Sequence, residues 1–320
     1  MPERLFETEV PRIGIIVVNL DSYSDTARCL ESLATTSYPN TMIFVVDNGS
    51  KDGSDAQLRR DFHSVTHYRL PTNLGSTGGR NFGIRSAIQN SCDHVLLLDD
   101  DAIVTPGFLE PLVSRIESDP NIAAVTGKIY HAPHNPGDPS NVLWYAGCIR
   151  RWHAWYNHVG MGERDAGNYD TPTPVACMAA CLMLMRSSAI QKIGGLSDDY
   201  FVYWEEPDWC ARASKAGYQC YYEPKSIIYH NYKSGQVGKE TPFHNYLVFR
   251  NALIFNKKHN PFWRRVQFWI AFPLLAAYRL AMDIRAKNNA GARAILWGIR
   301  DYFLGYRGPQ GLREHALIDL

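Results

Sequence analysis

Three consecutive aspartates, Asp99, Asp100 and Asp101, close the apolar run "HVLLL" that begins at His94. Like charges delivered together from a core need a positive partner, and a divalent cation is the simplest one. Carboxylates at alternate positions, Asp99 and Asp101, at the end of a strand can both face a hard cation that keeps several waters and binds substrate phosphates. A second stretch, "VVDNGSKDGS", ends a strand at Asp47 and Asn48 and enters a Gly and Ser turn, where a carboxylate can accept from a base or a ribose. A third, "NLGSTGGRNFGI", supplies Gly75, Gly78 and Gly79, which let backbone approach a ligand closely, and Arg80, a fixed cation. Together these pieces describe a pocket for a nucleotide diphosphate. No Gly-Lys-Ser/Thr follows the glycines and no GxGxxG follows the first strand, which disfavours phosphate chemistry of the kinase or NAD type.

Such residues act together only if several strands end on one rim. "IGIIVVN" (Ile13 to Asn19), "MIFVVDNGS" (Met42 to Ser50), a weaker "THYRLP" from Thr66 and "HVLLLDDD" from His94 read as strands, the strongest of them continuous and β-branched as in strands buried on both faces. Segments of helical length and period lie between them: Ser24 to Thr35, Asp55 to Phe62 and Thr77 to Gln89. Strands alternating with helices predict a parallel sheet covered on both sides, with the ligand beyond the carboxyl ends of the strands. That places Asn19, Asp47 and the Asp99 cluster on one rim. After Asp119 the texture changes to loop and mixed aromatic and basic residues, among them Trp152, Trp155 and Tyr156, before the apolar "VACMAACLMLMR" (Val175 to Arg186) returns to the core. Cys177 and Cys181 in that run read as core packing.

The 320 residues, 45% of them hydrophobic, suffice for one large domain or two modest ones. The best membrane candidate, Phe268 to Tyr278, is short and contains Pro273. The N-terminus lacks a basic region followed by an apolar one, so a cytoplasmic start is expected. Seven cysteines without a CxxC pair suggest neither a disulfide framework nor a zinc site. The net charge of +1 hides an asymmetry: from Lys257 to Arg313 eleven Lys and Arg face two acids, Asp283 and Asp301. Cations clustered beside Trp and Phe suit a surface-lying helix on an anionic membrane, and equally a helical cap on the domain or on a second subunit in a homo-oligomer. No recognition motif supports nucleic-acid binding.

The order "VVN", "VVDNGSKDGS", "NLGSTGGRNFGI", "LLLDDDA", continued by "WYAGCIRR" and "GGLSDDYFVYWEEPDWCARASKAGYQCYYEPKSIIYH", resembles family 2 inverting glycosyltransferases of the rhamnosyltransferase-like branch, over roughly residues 12 to 235. The resemblance implies the GT-A fold, an α/β architecture with a Rossmann-like, mixed but mainly parallel sheet flanked by helices. It further implies that Asp47 binds the base or ribose and that Asp99 and Asp101 form the metal-binding DxD element for Mg²⁺ or Mn²⁺, with Asp100 between them facing the sugar or neighbouring backbone. His230 matches as a third metal or phosphate contact, with Lys233 adding charge. The catalytic base falls on Glu206 or Glu205 of "WEEPDWCAR", where Glu206 replaces a more usual Asp. Trp204, Asp208 and Trp209 are the acceptor-side candidates.

The expected organisation is a GT-A domain over residues 1–255, with a donor half at about 12–125 and an acceptor half at about 126–255, followed by a basic, aromatic helical extension at 256–320. The expected chemistry is metal-dependent transfer of a sugar, such as rhamnose or another deoxyhexose, from a nucleotide-diphosphate sugar to a hydroxyl of a glycan or lipid-linked acceptor in cell-surface polysaccharide synthesis. The expected location is the cytoplasm, peripheral on the inner face of the cell membrane if the extension binds lipid and not if it packs as a cap. A nucleotidyltransferase would carry its glycine loop directly after the first strand, unlike "VVNLDSYS" here, and a non-catalytic sugar-nucleotide scaffold would not need a base.

Overall fold

The computed structural model describes residues 10–133, 140–151, 155–231 and 241–318. Its centre is β1 (Ile13–Asn19), flanked in parallel by β2 (Thr41–Asp47) and β4 (His94–Asp99), with β3 (Thr66–Arg69) outside β2. The helices α1 (Tyr23–Leu33), α2 (Ser54–Asp61) and α3 (Gly75–Gln89) connect them. Apolar side chains alternate between faces: Ile15, Val17, Leu96 and Leu98 pack toward Leu30 and Leu33 of α1, whereas Ile16, Phe44 and Leu97 pack toward Ile84 of α3. Fully burying each such side chain is worth about 1.5–3 kcal/mol, and coverage on both faces explains why the middles of β1, β2 and β4 are apolar, with polar residues kept to the strand ends. In register, Asn19 stands opposite Asp47 and Val18 opposite Asp99, which sets three strand ends on one rim.

The second half extends the same sheet. After β5 (Ala102–Val104) and α4 (Leu109–Glu117) comes β6 (Ile122–His131), followed by β7 (Leu143–Tyr145), β8 (Cys148–Arg150), β9 (Tyr156–His158) and β10 (Thr173–Pro174). Then β11 (Leu182–Arg186) runs antiparallel between β4 and β6, and α5 (Ser187–Ile193) and α6 (Glu205–Lys215) lead to β12 (Gln219–His230), parallel to β6. The main order is β10-β12-β6-β11-β4-β1-β2-β3, with β7 on β6, β5 on β12, and β8 and β9 as a separate pair. The β12–β5 register sets His230 opposite Ala102, bringing the end of β12 back to the three aspartates.

Four helices complete the chain: α7 (Pro242–His259), α8 (Phe262–Arg285), α9 (Asn289–Phe303) and α10 (Gln310–Glu314). The boundary expected at 255 falls inside α7, a continuous helix capped at its start by Thr241 Oγ1, which accepts from His244 N at 3.2 Å. The run Lys257, Lys258 and His259 is its last turn, where cations suit the negative end of the helix dipole. Phe249, Leu253 and Phe255 of α7 join Tyr200, Trp204, Phe268 and Phe272 in one cluster, so the helical region and the loop before α6 share a core. No helix among the described residues is long and apolar enough to cross a membrane. α8 nevertheless leaves Phe262, Val266, Ile270, Leu274 and Tyr278 in solvent along one side, while Phe268, Phe272 and Ala276 are buried on the other.

Candidate active site

At the end of β4 the Asp99 carboxylate divides its oxygens. Oδ1 accepts from Arg80 Nη2 at 2.6 Å and Oδ2 lies 3.8 Å from His230 Nε2, which is 3.0 Å from Asp101 Oδ1. Asp99 and Asp101 remain partly exposed above the buried His230 and Arg80. Burial opposes charge on His230, but the hydrogen bond to Asp101 and the fields of all three aspartates outweigh it and raise its pKa. Arg80 likewise stays charged although buried, because Asp99, Glu205 and Glu206 surround it. These are the protein's own cations against the aspartate run. Ligand atoms of Asp99, His230 and Cys181 also lie within 4.8 Å of one another. Two partly exposed carboxylates and an imidazole are a donor set that fits a hard divalent cation such as Mg²⁺ or Mn²⁺.

Asp100 points the other way, toward α1, where Thr26 Oγ1 approaches its Oδ2 at 3.5 Å. Burial and then its neighbours Asp101 and Asp99 push its pKa up to about 7.

The other side of Arg80 is built by α6. Its first residues, Glu205 and Glu206, follow Tyr203 (φ 66°) and Trp204 (φ 77°), two consecutive non-glycine residues in the left-handed region. Each costs about 1–3 kcal/mol, a strain that swings the start of α6 toward β4. Glu205 is buried, accepts from Arg80 Nη1 at 3.0 Å, and has no hydrogen-bond partner at Oε2 among the described residues. Glu206 keeps 18% of its side chain exposed, accepts from Ala180 N at 3.3 Å, and lies 3.9 Å from Arg80. Burial and repulsion from Glu206 push Glu205 up to about 8, and burial raises Glu206 as well, against the opposing field of Arg80. Burial raises both carboxyls, and of the two only Glu206 keeps part of its side chain open to solvent.

On the rim of the parallel half, Asn19 is buried and its Nδ2 lies 2.9, 3.0 and 2.9 Å from Asp47 Oδ1, Ser50 Oγ and Ser54 Oγ, three partners for two hydrogens. Asp47 also accepts from Ser50 N at 3.2 Å, and Asn48 holds the start of α3 by accepting from Leu74 N and donating to Gly75 O. These three residues lie beneath the rim and shape it. Above them the loops after β1, β2 and β3 enclose a cavity of about 340 Å³ lined by Leu20, Asp21, Gly49, Lys51, Pro71 and, from the C-terminal end, Ile318. The glycines serve packing: a Cβ on Gly75 (φ 75°) would sit 2.3 Å from Phe201 O, and one on Gly79 would sit 2.8 Å from Val18 Cγ1. Gly78 faces Leu74 of its own segment.

Two acceptor-side expectations are corrected by burial. Asp208 is fully buried and binds Arg212 Nε at 2.8 Å, His259 Nε2 at 2.7 Å and Lys258 Nζ at 3.0 Å, which together hold its carboxyl far below the usual range against the cost of burial. Trp209 is also fully buried and donates to Gly194 O at 2.9 Å. Trp204 packs against Trp155 and Phe255 with centroids 5.3 and 5.2 Å apart, leaving Tyr203 as the exposed aromatic. Cys181, read from sequence as core, is buried yet borders the cation face; its apolar neighbourhood gives no local signal, and only the antiparallel pairing of β11 with β4 brings it there. Trp152 and Lys233 lie outside the described residues.

A mainly parallel half joined to a reversed β11, with acids at the strand ends, is the plan of a GT-A glycosyltransferase. Residues 14–194 match the family "Glycosyl transferase family 2", more than half of the chain, and the chain belongs to that family. It is 27% identical over 202 residues to the pre-mycofactocin glycosyltransferase of Mycobacterium tuberculosis, covering 62% of this chain and 39% of that protein, so it spans about two fifths of that relative's length. It is 23% identical over 280 residues to the N-acetylglucosaminyl-diphospho-decaprenol L-rhamnosyltransferase of the same organism, covering 80% of this chain and 88% of that one. The mannosyltransferase PcManGT from Pyrobaculum calidifontis, solved with GDP-Man and Mn²⁺, has the same fold: TM-score 0.55 at 17% identity, over 97% of this chain and 87% of that one.

Proposed function

We propose that this glycosyltransferase moves a sugar, rhamnose or another deoxyhexose, from a nucleotide-diphosphate donor to a hydroxyl of a lipid-linked glycan acceptor in cell-surface polysaccharide synthesis, with inversion and with Mg²⁺ or Mn²⁺. The observation that carries it is the single guanidinium of Arg80, which touches Asp99 on the cation side and Glu205 on the base side. One site thus prepares both a leaving group and a nucleophile. Asp99, Asp101 and His230 would hold the cation, which supplies charge neutralisation to the departing diphosphate. The nucleoside would occupy the cavity between Leu20, Gly49 and Pro71, above the Asn19 and Asp47 network.

Glu206 would take the proton of the acceptor hydroxyl as its oxygen bonds to the anomeric carbon. The bond from that carbon to the diphosphate oxygen breaks on the opposite face, its electron pair leaves with the nucleoside diphosphate, and the configuration inverts. Arg80 keeps Glu205 in place beside the base. A lipid-linked acceptor is supported by the decaprenol substrate named for the rhamnosyltransferase relative and by the solvent-facing apolar side of α8 flanked by Arg264, Arg265, Arg285 and Lys287. Such a surface suits peripheral attachment to an anionic bilayer.

The test is release of nucleoside diphosphate from a panel of dTDP-, UDP- and GDP-sugars with Mg²⁺, Mn²⁺ or chelator. Slow, metal-dependent hydrolysis of one donor is expected. Equal release with chelator would remove the cation, and silence across the panel would remove the donor class.

A further inference from the structure

We infer that Asn251, a residue of α7 outside the sheet, is a positioning residue that holds the catalytic base through the strained turn before α6. Its side-chain Nδ2 donates to two successive carbonyls, Val202 O at 3.0 Å and Tyr203 O at 2.9 Å. Those carbonyls belong to the turn whose next backbone units, Tyr203 and Trp204, have φ values of 66° and 77°. An amide nitrogen has two hydrogens, one for each carbonyl, and no other uncharged side chain of this size offers that pair.

The amide is itself oriented. Arg250 Nε donates to Asn251 Oδ1 at 3.0 Å, which fixes the oxygen on the guanidinium side and turns the NH₂ toward the carbonyls. Arg250 is fully buried and its Nη1 donates to Gly308 O at 2.7 Å, while Gly308 N donates to Asp199 O at 2.9 Å. Consecutive residues of α7 therefore hold the segment 199–203 at both ends, Arg250 through the Gly308 loop and Asn251 directly. Trp204 anchors the far side of the turn by packing on Phe255 of the same helix.

A left-handed conformation at two bulky residues persists only where its surroundings impose it. Without the Asn251 hydrogen bonds the turn relaxes toward ordinary φ, and the start of α6 rotates away from Arg80 and Ala180. The base would then be displaced while the donor rim, built from β1, β2 and α3, stays as it is. This rests on the assignment of Glu206 as base.

The experiment compares Asn251→Leu, similar in size without donors, with Asn251→Asp, which keeps the acceptor for Arg250 and loses both donors; the second serves if the first does not fold. Hydrogen exchange needs no donor: the amides of 203–206 and 208 should exchange faster in the variants while β1 and β4 keep their protection. On any panel sugar the wild type turns over, kcat should fall by about 100-fold, the scale of a misplaced catalytic group, with KM for the donor unchanged. Adding Tyr203→Gly should restore much of the loss, since glycine takes a left-handed φ without support. Unchanged exchange at 203–208 would overturn the inference, as would a rate loss that only tracks unfolded protein or that Tyr203→Gly does not relieve. Glu206→Gln run alongside separates the two claims: wild-type turnover there defeats the base assignment, while the exchange result still decides the turn.

Discussion

Arg80 donates to Asp99 across 2.6 Å from a side chain only 10% exposed. Asp99, Glu205 and Glu206 depend on that one buried charge. Arg80→Gln should destabilise the fold by about 3–5 kcal/mol, the range for removing one partner of a buried pair. Mn²⁺ should recover part of this by supplying charge to Asp99, read as a larger metal-induced rise in melting temperature than in the wild type. An equal rise in both would separate Arg80 from the cation face.

Asp101 is partly exposed, and its Oδ1 lies 3.0 Å from Nε2 of buried His230 at the end of β12. Asp101→Ala should therefore lower the melting temperature only modestly, since the imidazole can shed its proton, and should weaken Mn²⁺ binding by more than about 100-fold, the upper end for disturbing even an outer partner of a metal ligand. Titration followed by electron paramagnetic resonance would read it. Undiminished affinity would take Asp101 out of the cation site.

Glu206→Gln should reduce kcat by about 10²–10⁴, the usual worth of a general base, with donor KM retained. Because burial raises the pKa of Glu206 and a base works deprotonated, kcat in the wild type should climb as pH rises toward neutrality. Arg80 opposes that shift, so in Arg80→Gln the ascending limb should move to higher pH. A limb in the ordinary glutamate range, or greater damage from Glu205→Gln, would reverse the assignment of the pair.

Asp208 is enclosed by Arg212, Lys258 and His259, which joins α6 to the end of α7. Asp208→Asn should cost about 3–5 kcal/mol in denaturant unfolding. Its depressed pKa means the stabilisation is fully present above the ordinary aspartate value of about 3.9 and is lost as pH falls through the folded value. The difference between variant and wild type should accordingly be constant near neutrality and shrink only in strong acid. A loss of acceptor affinity without loss of stability would return Asp208 to the acceptor surface.

Leu274 is 69% exposed in the middle of the apolar side of α8. Leu274→Glu should leave stability unchanged and weaken partition onto vesicles containing anionic lipid by roughly 10–100-fold, from about 1.5–3 kcal/mol for one buried leucine. Added salt should weaken it further by screening the flanking arginines. If the wild type ignores vesicles and the variant changes oligomeric state, the face belongs to a second copy of the chain.

The strands at β1, β2 and β4 were legible because each is a short continuous apolar run, β-branched in β1 and β2, and the polar residue that ends each run marks the rim. What local pattern could not supply was direction in space. "EEPDW" reads as one acidic and aromatic patch, yet the first turn of α6 sends Glu205 and Glu206 to Arg80 and Asp208 to His259, partners far away in the chain. The glycines of α3 were read as room for a ligand, whereas Gly75 and Gly79 make room for Phe201 and Val18. The end of α7 looked like the start of a separate extension because Lys257 and Lys258 mark a change of charge, and charge does not reveal that Phe249 and Phe255 on the same helix are buried with Trp204. His230 was accessible only by resemblance, since the β12–β5 register that brings it to Ala102 has no local signature.

That register also bears on the order in which the protein is made. During synthesis the aspartates at the end of β4 leave the ribosome well before β12, the last strand of the sheet. Of the two site cations only Arg80 is then available, and closing so long a span of chain must precede any return from the pairing. A nascent chain that stops short of His230 would fold its nucleotide side around an acidic and incomplete rim. The proposed cation site is thus complete only with the second half of the chain, and the turn that carries Glu206 gains its support later still, once α7 has emerged.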